Sequence, residues 1–392
     1  MKLALIGVGQ AGGKVVEAFL EYDSATGGRT VTSVTVFNTA EADLRGLSQV
    51  PRERRVLVGE SRVNGHGVGA DNELGVEIAA SEKHEILNAT HDVPMGETDA
   101  FLVVGALGGG TGSGAGPVIA RHLKEVYTVP VYGLGILPST DEGGIYSLNA
   151  ARSFRTFVGE VDNLLLFDND AWRRSGESLS EGYREINEEL VRRFGVLFSA
   201  GEVRPGETVG ESVVDASEII NTLAAGGVST VGYASERIET GSESLLRRFL
   251  RSDGEDREGS GAANTRRTTS LVRQATLGRL TLPCTVQSAS RALLLVSGPP
   301  SALDRKGIEQ ARRWLEEETG TVEVRGGDYP VSDTNHVAAV VLLSGVTDVP
   351  RIREMQAVAT ETQDFLSERD ETQKRELDDL LAGDRDDLDP LF

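Results

Sequence analysis

Residues 108–114 run Gly-Gly-Gly-Thr-Gly-Ser-Gly, directly after the apolar run Phe101-Leu-Val-Val-Gly105 and just before a helix-compatible run, Gly116–Val126. So many residues without a Cβ cost folding entropy and let a ligand touch the backbone. Strand, glycine loop and helix together aim N–H groups and a helix N-terminus at one point, which suits phosphate. A flexible loop is the plain alternative. A second glycine loop, Gly7-Val-Gly9-Gln10-Ala11-Gly12, follows the first apolar run. It fits G-x-G-x-x-G, which by itself is weak evidence for a dinucleotide site. That reading wants an acid at the end of the second strand, where Asn38 stands. A P-loop fails too: Gly13-Lys14 lacks a correctly spaced glycine before it, and Val15 replaces the Ser/Thr that would hold magnesium. A third polar loop, Asn64–Asn72, lies between the two. Three such loops could surround a di- or triphosphate.

The elements that must position these loops alternate. Leu3–Ile6, Val31–Phe37, Phe101–Val104, Val129–Leu134 and Leu164–Phe167 read as strands. Lys14–Glu21, Asp71–Ala80, Pro117–Val126 and Tyr146–Val158 read as helices between them. This order implies an α/β fold with a parallel sheet covered on both faces, its ligand loops at the strands' carboxyl ends. Ser178–Phe198 reads as a long helix opened by a capping box, Ser178 with Glu181. Its apolar stripe is Ile186, Leu190, Val191, Phe194 and Leu197. Beyond it, strands at Leu293–Val296, Val322–Val324 and Val337–Leu343 and a helix at Asp304–Thr319 suggest a smaller α+β domain with its own sheet. Ser252–Arg267 reads as an exposed loop. From Glu361 the chain carries twelve acids against four bases and reads as a solvated helix fraying at its end.

The chain has 392 residues and a formal net charge of -21. That argues against nucleic acid or an anionic membrane as partner. A nucleotide would then be held by backbone N–H groups and a divalent cation rather than by a basic patch. Only six lysines occur, and an acid-rich, lysine-poor surface suits concentrated salt. The single cysteine, Cys284, excludes an intrachain disulfide and a Cys-based zinc site and reads as a small core group. The histidines lack H-E-x-x-H spacing, so no metal-ligating side chains are named. No apolar run approaches a membrane span and the N-terminus lacks a signal pattern, so a cytoplasmic protein is expected, without direct membrane insertion.

With these loops in view, the chain resembles the tubulin/FtsZ superfamily of polymerising GTPases over about residues 1–350, on the signature Gly-Gly-Gly-Thr-Gly-Ser-Gly. The resemblance implies GTP or GDP with Mg²⁺ as the bound cofactors. It implies a first nucleotide loop with Gly9, Gln10, Ala11, Gly12 and Lys14, where Gln10 matches tubulin better than FtsZ. Asn38 falls in the second loop, Ala70 and Asp71 in the third, and Gly108, Gly109, Gly110, Thr111, Gly112 and Ser113 in the fourth. Pro138–Gly143 resembles the fifth, whose glutamate, here Glu142, meets the ribose. Asn169 matches an asparagine near the base. Tyr183 and Asn187, one helical turn apart, resemble tubulin's aromatic that stacks on guanine and its asparagine that hydrogen-bonds it.

Val213-Val-Asp215-Ala-Ser-Glu218 resembles the loop that enters the next subunit's nucleotide site, where two acids position the attacking water. Asp215 and Glu218 match those acids. Val213 departs from the family's asparagine, and the arginine that FtsZ carries near Tyr146 is absent. Gly133–Tyr146 and the mix of tubulin-like and FtsZ-like features resemble the archaeal CetZ family, which implies a cytoskeletal role in cell shape. The implied organisation is a GTP-binding domain at 1–177, a central helix at 178–200, a C-terminal α+β domain at 201–360 with an activating loop at 210–218, and an acidic tail at 361–392. The implied partner is another copy, added head to tail, and the tail motif Asp389-Pro-Leu-Phe392 could dock an adaptor.

Plainer readings stand beside these. Asp215–Glu218 is also a helix capping box, as is Ser139–Glu142. Lys14 could meet a phosphate or solvent, His66 could be a turn residue or a ligand, and Tyr183 could belong to the core. Two other functions remain open: a NAD-binding oxidoreductase using Gly7–Gly12, and a scaffold that binds nucleotide without hydrolysing it.

Overall fold

The computed structural model describes residues 1–172, 179–200, 214–238, 256–332 and 334–382. The capping pair at Ser178, the departure at Val213 and the tail motif at 389–392 lie outside them. In chain order the elements are β1 (Leu3–Val8), α1 (Gly9–Thr26), β2 (Val31–Asn38), α2 (Glu41–Arg45), β3 (Arg55–Leu57), α3 (Glu60–Val63), α4 (Asn72–Ser81), α5 (Lys83–Thr90), β4 (Ala100–Ala106), α6 (Thr111–Val126), β5 (Val131–Leu137) and α7 (Gly144–Glu160). Then follow β6 (Asn163–Asp168), α8 (Asn169–Trp172), α9 (Leu179–Ser199), α10 (Ala216–Leu223), β7 (Val228–Arg237), α11 (Asp256–Leu277), β8 (Arg291–Gly298), α12 (Arg305–Thr319), β9 (Val324–Pro330), β10 (His336–Val346) and α13 (Pro350–Ala382).

Every side of β1 is buried, as a strand covered on both faces must be. Ala4, Ile6 and Val8 face one apolar cluster and Leu3 and Leu5 the other. α6 fills the first cluster with Val118, Ile119 and Leu123. α9 fills the second with the whole stripe read from its sequence, Ile186, Leu190, Val191, Phe194 and Leu197. The N-terminal ammonium of Met1 donates to the carbonyl of Phe198 at 2.6 Å. A cation is thus set against the negative end of that helix.

The separate second sheet expected from the sequence is not what forms. Among the described residues there is one ten-stranded sheet, ordered β3-β2-β1-β4-β5-β6-β7-β10-β8-β9. The strands from β3 through β7 pair in parallel, then β10 pairs antiparallel with both β7 and β8. The join is narrow: β6 meets β7 only at Leu164–Val228 and Leu165–Ser229. Asn163 secures it, its amide donating to Leu223 O at 2.9 Å, Gly226 O at 3.1 Å and Ser344 Oγ at 3.0 Å. β7 escapes sequence reading because Val-Ser-Thr-Val-Gly-Tyr-Ala-Ser-Glu-Arg has no clean alternation.

The expected loop Ser252–Arg267 is also corrected. From Asp256 onward this segment is α11, whose Leu271, Val272 and Ala275 are buried. Its glycine and polar content looks like a loop, but packing on the sheet overrides propensity. The charged C-terminal stretch is helical as far as Ala382. Cys284 is partly buried against the core, and burial pushes its thiol up to about 12. No described helix is long and apolar enough to cross a membrane.

Candidate functional site

The glycine loops meet at the carboxyl ends of neighbouring parallel strands. α1 starts at Gly9, immediately after β1, and α6 at Thr111, five residues after β4. Both start earlier than expected from the sequence, so their glycines form the first helical turns. Neither start has a side-chain cap, nor does α7 at Gly144. The starts of α2, α3 and α5 also lack one, whereas α4, α10 and α12 are capped by Asp71, Asp215 and Asp304. An uncapped helix start keeps N–H groups available, and several together make an anion site. Gly9 has φ 74°, and a Cβ there would lie 3.0 Å from the Gly112 nitrogen. The first and fourth loops therefore touch through backbone.

Other contacts bind the loops into one cradle. The hydroxyls of Thr39 and Thr111 meet at 2.7 Å, joining the second loop to the fourth. Asn38 is buried, accepts the Ala40 N–H and donates to Asp43, so it shapes the turn after β2. Gly67 N–H donates to Thr39 O at 3.0 Å, and Gly110 N–H to Gly69 O at 3.1 Å, drawing in the third loop. Asp71 caps α4 by accepting the Leu74 N–H. Ser113 donates to the carbonyls of Gly109 and Gly110. His66 is exposed and bridges to Ala40 through backbone, a turn residue.

Sequence reading missed Asn149 and Ser153 on α7. Asn149 donates to Ala70 O at 2.7 Å and Gly108 O at 3.1 Å, tying the third loop to the fourth. Ser153 donates to Ser113 O at 2.8 Å. Nothing local distinguishes these residues from other polar helix positions. Lys14 is another difference. Its amine goes to Glu17 and to Gly46 O, both at 2.9 Å, on the α2 side, where the sequence reading left it open to a phosphate or to solvent.

At the fifth loop, Glu142 has the helix-start role read from the sequence. The capping box with Ser139 is complete, and the same carboxylate accepts the Tyr183 hydroxyl at 3.4 Å. The tip of α9 thus reaches the fifth loop. Tyr183 is 36% exposed rather than core, and Asn187 is half-buried one turn on. Asn169 is buried, and its Oδ1 has no hydrogen-bond partner among the described residues, an orphan acceptor of the kind a ligand satisfies. Asp170, which sequence reading passed over, accepts from Ser139 Oγ at 2.8 Å and from Thr140. Burial alone would raise its pKa, but these hydrogen bonds outweigh that and hold its carboxyl below the usual range. Beneath, Arg351 donates to Pro138 O at 2.8 Å and to Asp168 at 3.3 Å. Burial dominates at Asp168 and pushes it up to about 6 despite Arg351.

The two acids that the resemblance implied for an activating loop, Asp215 and Glu218, lie elsewhere. Asp215 caps α10, accepting the Glu218 N–H at 3.1 Å. The Ser217 hydroxyl, 2.5 Å away, and that N–H hold the Asp215 carboxyl below its ordinary range. Asp215 and Ser217 share a surface pocket with Lys2, Glu97 and Asp99. Lys2 and Asp99 immediately precede β1 and β4, so this is the amino end of the parallel sheet. The glycine cradle is at the carboxyl end. Six residues of strand separate the ends, about 20 Å.

Comparison with known proteins shows the family and the fold. Residues 2–177 match the Tubulin/FtsZ family GTPase domain, and residues 176–361 match the tubulin-like CetZ C-terminal domain. CetZ1 of Haloferax volcanii, a tubulin-like protein, is 62% identical over 371 residues, covering 94% of each chain. The GDP-bound monomer of CetZ1 from the same organism superposes with a TM-score of 0.82 at 60% identity, covering 93% of this chain and 100% of its own. A GTPγS-bound protofilament of H. volcanii CetZ2 gives 0.82 at 43% identity, covering 94% and 100%. These matches set aside the dinucleotide alternative: the chain belongs to the CetZ family of tubulin-like proteins, within the tubulin/FtsZ superfamily.

Proposed function

We propose that this chain is a polymerising GTPase that binds GTP in the glycine cradle and hydrolyses it only where a second copy docks head to tail. One observation carries this reading: Asp215 lies at the amino end of the sheet whose carboxyl end holds the cradle, a strand length away. An acid that far away cannot reach a γ-phosphate in its own subunit, but a neighbour stacked along the same axis can supply it. Heterologous contacts of that kind propagate as filaments when rotation does not close a ring.

In this reading residues 1–177 bind nucleotide, the helix at 178–200 links the halves and residues 201–360 carry the activating acids. The backbone N–H groups at Gly9–Gly12 and Gly108–Ser113 hold the phosphates. Ala70 and Asp71 close the third side. Glu142 takes the ribose, and Asn169, Tyr183 and Asn187 take guanine. Asp215 and Glu218 of the docked copy orient the attacking water; phosphoryl transfer needs chiefly such positioning and charge neutralisation. The cradle fits a nucleoside triphosphate, since its helix starts carry no side-chain cap and the buried Asn169 Oδ1 has no partner among the described residues. Mg²⁺ would neutralise phosphate charge. Among the described residues no cluster of three or more His, Cys, Asp or Glu is poised to hold a metal, so its ligands would come mainly from the nucleotide.

The family resemblance extends the reading to a cytoplasmic cell-shape filament in a high-salt cell. The acidic segment 361–392 is the candidate seat for an adaptor. The test is pelleting with GTP, GDP and a slowly hydrolysed analogue in high salt, with phosphate release followed across protein concentrations. Specific activity should rise with concentration and track the pelleted fraction. Activity that stays flat on dilution below self-association would place hydrolysis within one subunit. Filaments with no phosphate release would favour the scaffold.

A further inference from the structure

Asp215 and Glu218 have capping-box spacing, in which the third-position carboxylate would return to the N-cap N–H. Only half of the box is made. Asp215 accepts the Glu218 N–H, but the Glu218 carboxylate turns away to Arg325, with Oε2 3.2 Å from Nη1. Arg325 lies on β9, the edge strand of the sheet, and reaches across β8 toward α10. The neighbouring cation, Arg291, is committed to Asn221 O and to Glu323. The Glu218–Arg325 pair is 35% and 41% exposed, so it contributes little to folding. The single charge-assisted hydrogen bond from Arg325 Nη1 nevertheless narrows the orientations open to the carboxylate.

We propose that Arg325 is a positioning residue for Glu218, holding its carboxylate in one orientation on the docking face before the next subunit arrives. The proposal deepens the reading above and rests on Glu218 being one of the activating acids. Preorganisation of this kind lowers the cost of aligning a water, and misplacement by about 1 Å can cost up to ~100-fold in rate.

The test compares Arg325→Gln, Arg325→Lys, Glu218→Gln and the double variant Glu218→Gln/Arg325→Gln in the full chain. Phosphate release per pelleted subunit is measured, with pelleting in a slowly hydrolysed GTP analogue as the assembly control. Arg325→Gln should lower kcat roughly tenfold, with KM for GTP and analogue-driven pelleting within about twofold of the parent. Arg325→Lys should recover part of the rate, and Arg325→Gln should cost nothing more once Glu218 is Gln. Unchanged turnover in Arg325→Gln, lost pelleting, or an equal further loss in the double variant would each overturn the positioning role. Full turnover in Glu218→Gln would instead remove the assignment of Glu218 itself, so the two failures are distinguishable.

Discussion

A Cβ on Gly110 would stand 2.4 Å from the carbonyl oxygen of Gly69, the same oxygen that accepts the Gly110 N–H at 3.1 Å. The third and fourth loops are therefore in backbone contact, and the short, branched Val68 side chain, whose Cγ2 would lie 2.7 Å from that Cβ, has little freedom to yield. Gly110→Ala must push them apart. GTP affinity should fall at least about tenfold, since the N–H groups must point at one place to act together. Titration with a fluorescent nucleotide measures this, with far-UV circular dichroism to show that the fold persists. A variant that binds with parental affinity would mean the loop contact does not shape the site.

The same variant serves a second prediction. Glu218→Ala should keep nucleotide binding and lose most turnover, roughly 100-fold. Gly110→Ala should fail for the opposite reason. Mixed, the two should regain measurable hydrolysis, because intact loops of one copy then meet intact acids of the other. A mixture no more active than its components would argue that loops and acids act within one chain.

Asn149 uses one amide to hold the carbonyls of Ala70 and Gly108. Asn149→Ala leaves both without that donor, at a cost of about 1–3 kcal/mol. The urea midpoint should drop accordingly. Saturating GTP should restore more stability to the parent than to the variant, because the third loop is no longer tied to the fourth. Equal nucleotide-dependent stabilisation of the two proteins would show that Asn149 is structural only.

Burial pushes Asp168 up to about 6, above its ordinary value of 3.8. The folded protein then holds that proton more tightly than the unfolded chain does. The contribution to stability is complete below about pH 4 and is lost as pH rises through about 6. Its size is on the order of 3 kcal/mol at most. Asp168→Asn cannot titrate, so its unfolding free energy should change less between pH 4 and 6 than that of the parent. Parallel profiles for the two proteins would show that Asp168 is not the group responsible.

Much of the nucleotide half was legible in the sequence because its signals are local. Buried parallel strands read as continuous apolar runs, and glycine clusters after them mark backbone brought close to a ligand. The apolar stripe of α9 is a periodicity that needs no partner to be recognised. The second half was less so. β7 lacks alternation, and α11 carries loop-like residues, so only contacts with the sheet select their conformations. The merging of two expected sheets into one depends on Asn163 and two residue pairs, which no single segment encodes.

At the site, composition and spacing determined the glycine clusters that bring backbone together, while the acids at Asp215 and Glu218 and the aromatic and amide of Tyr183 and Asn187 were singled out by the family resemblance. Tertiary structure alone decided where they point. It drew Lys14 away to Glu17 and Gly46, set Asn149 across two loops and turned Glu218 from its own helix cap to Arg325, 107 residues on. The reason is physical. A helix cap or a glycine turn is settled by neighbours in sequence, whereas the direction of a long charged side chain follows from whichever opposite charge the fold brings within reach.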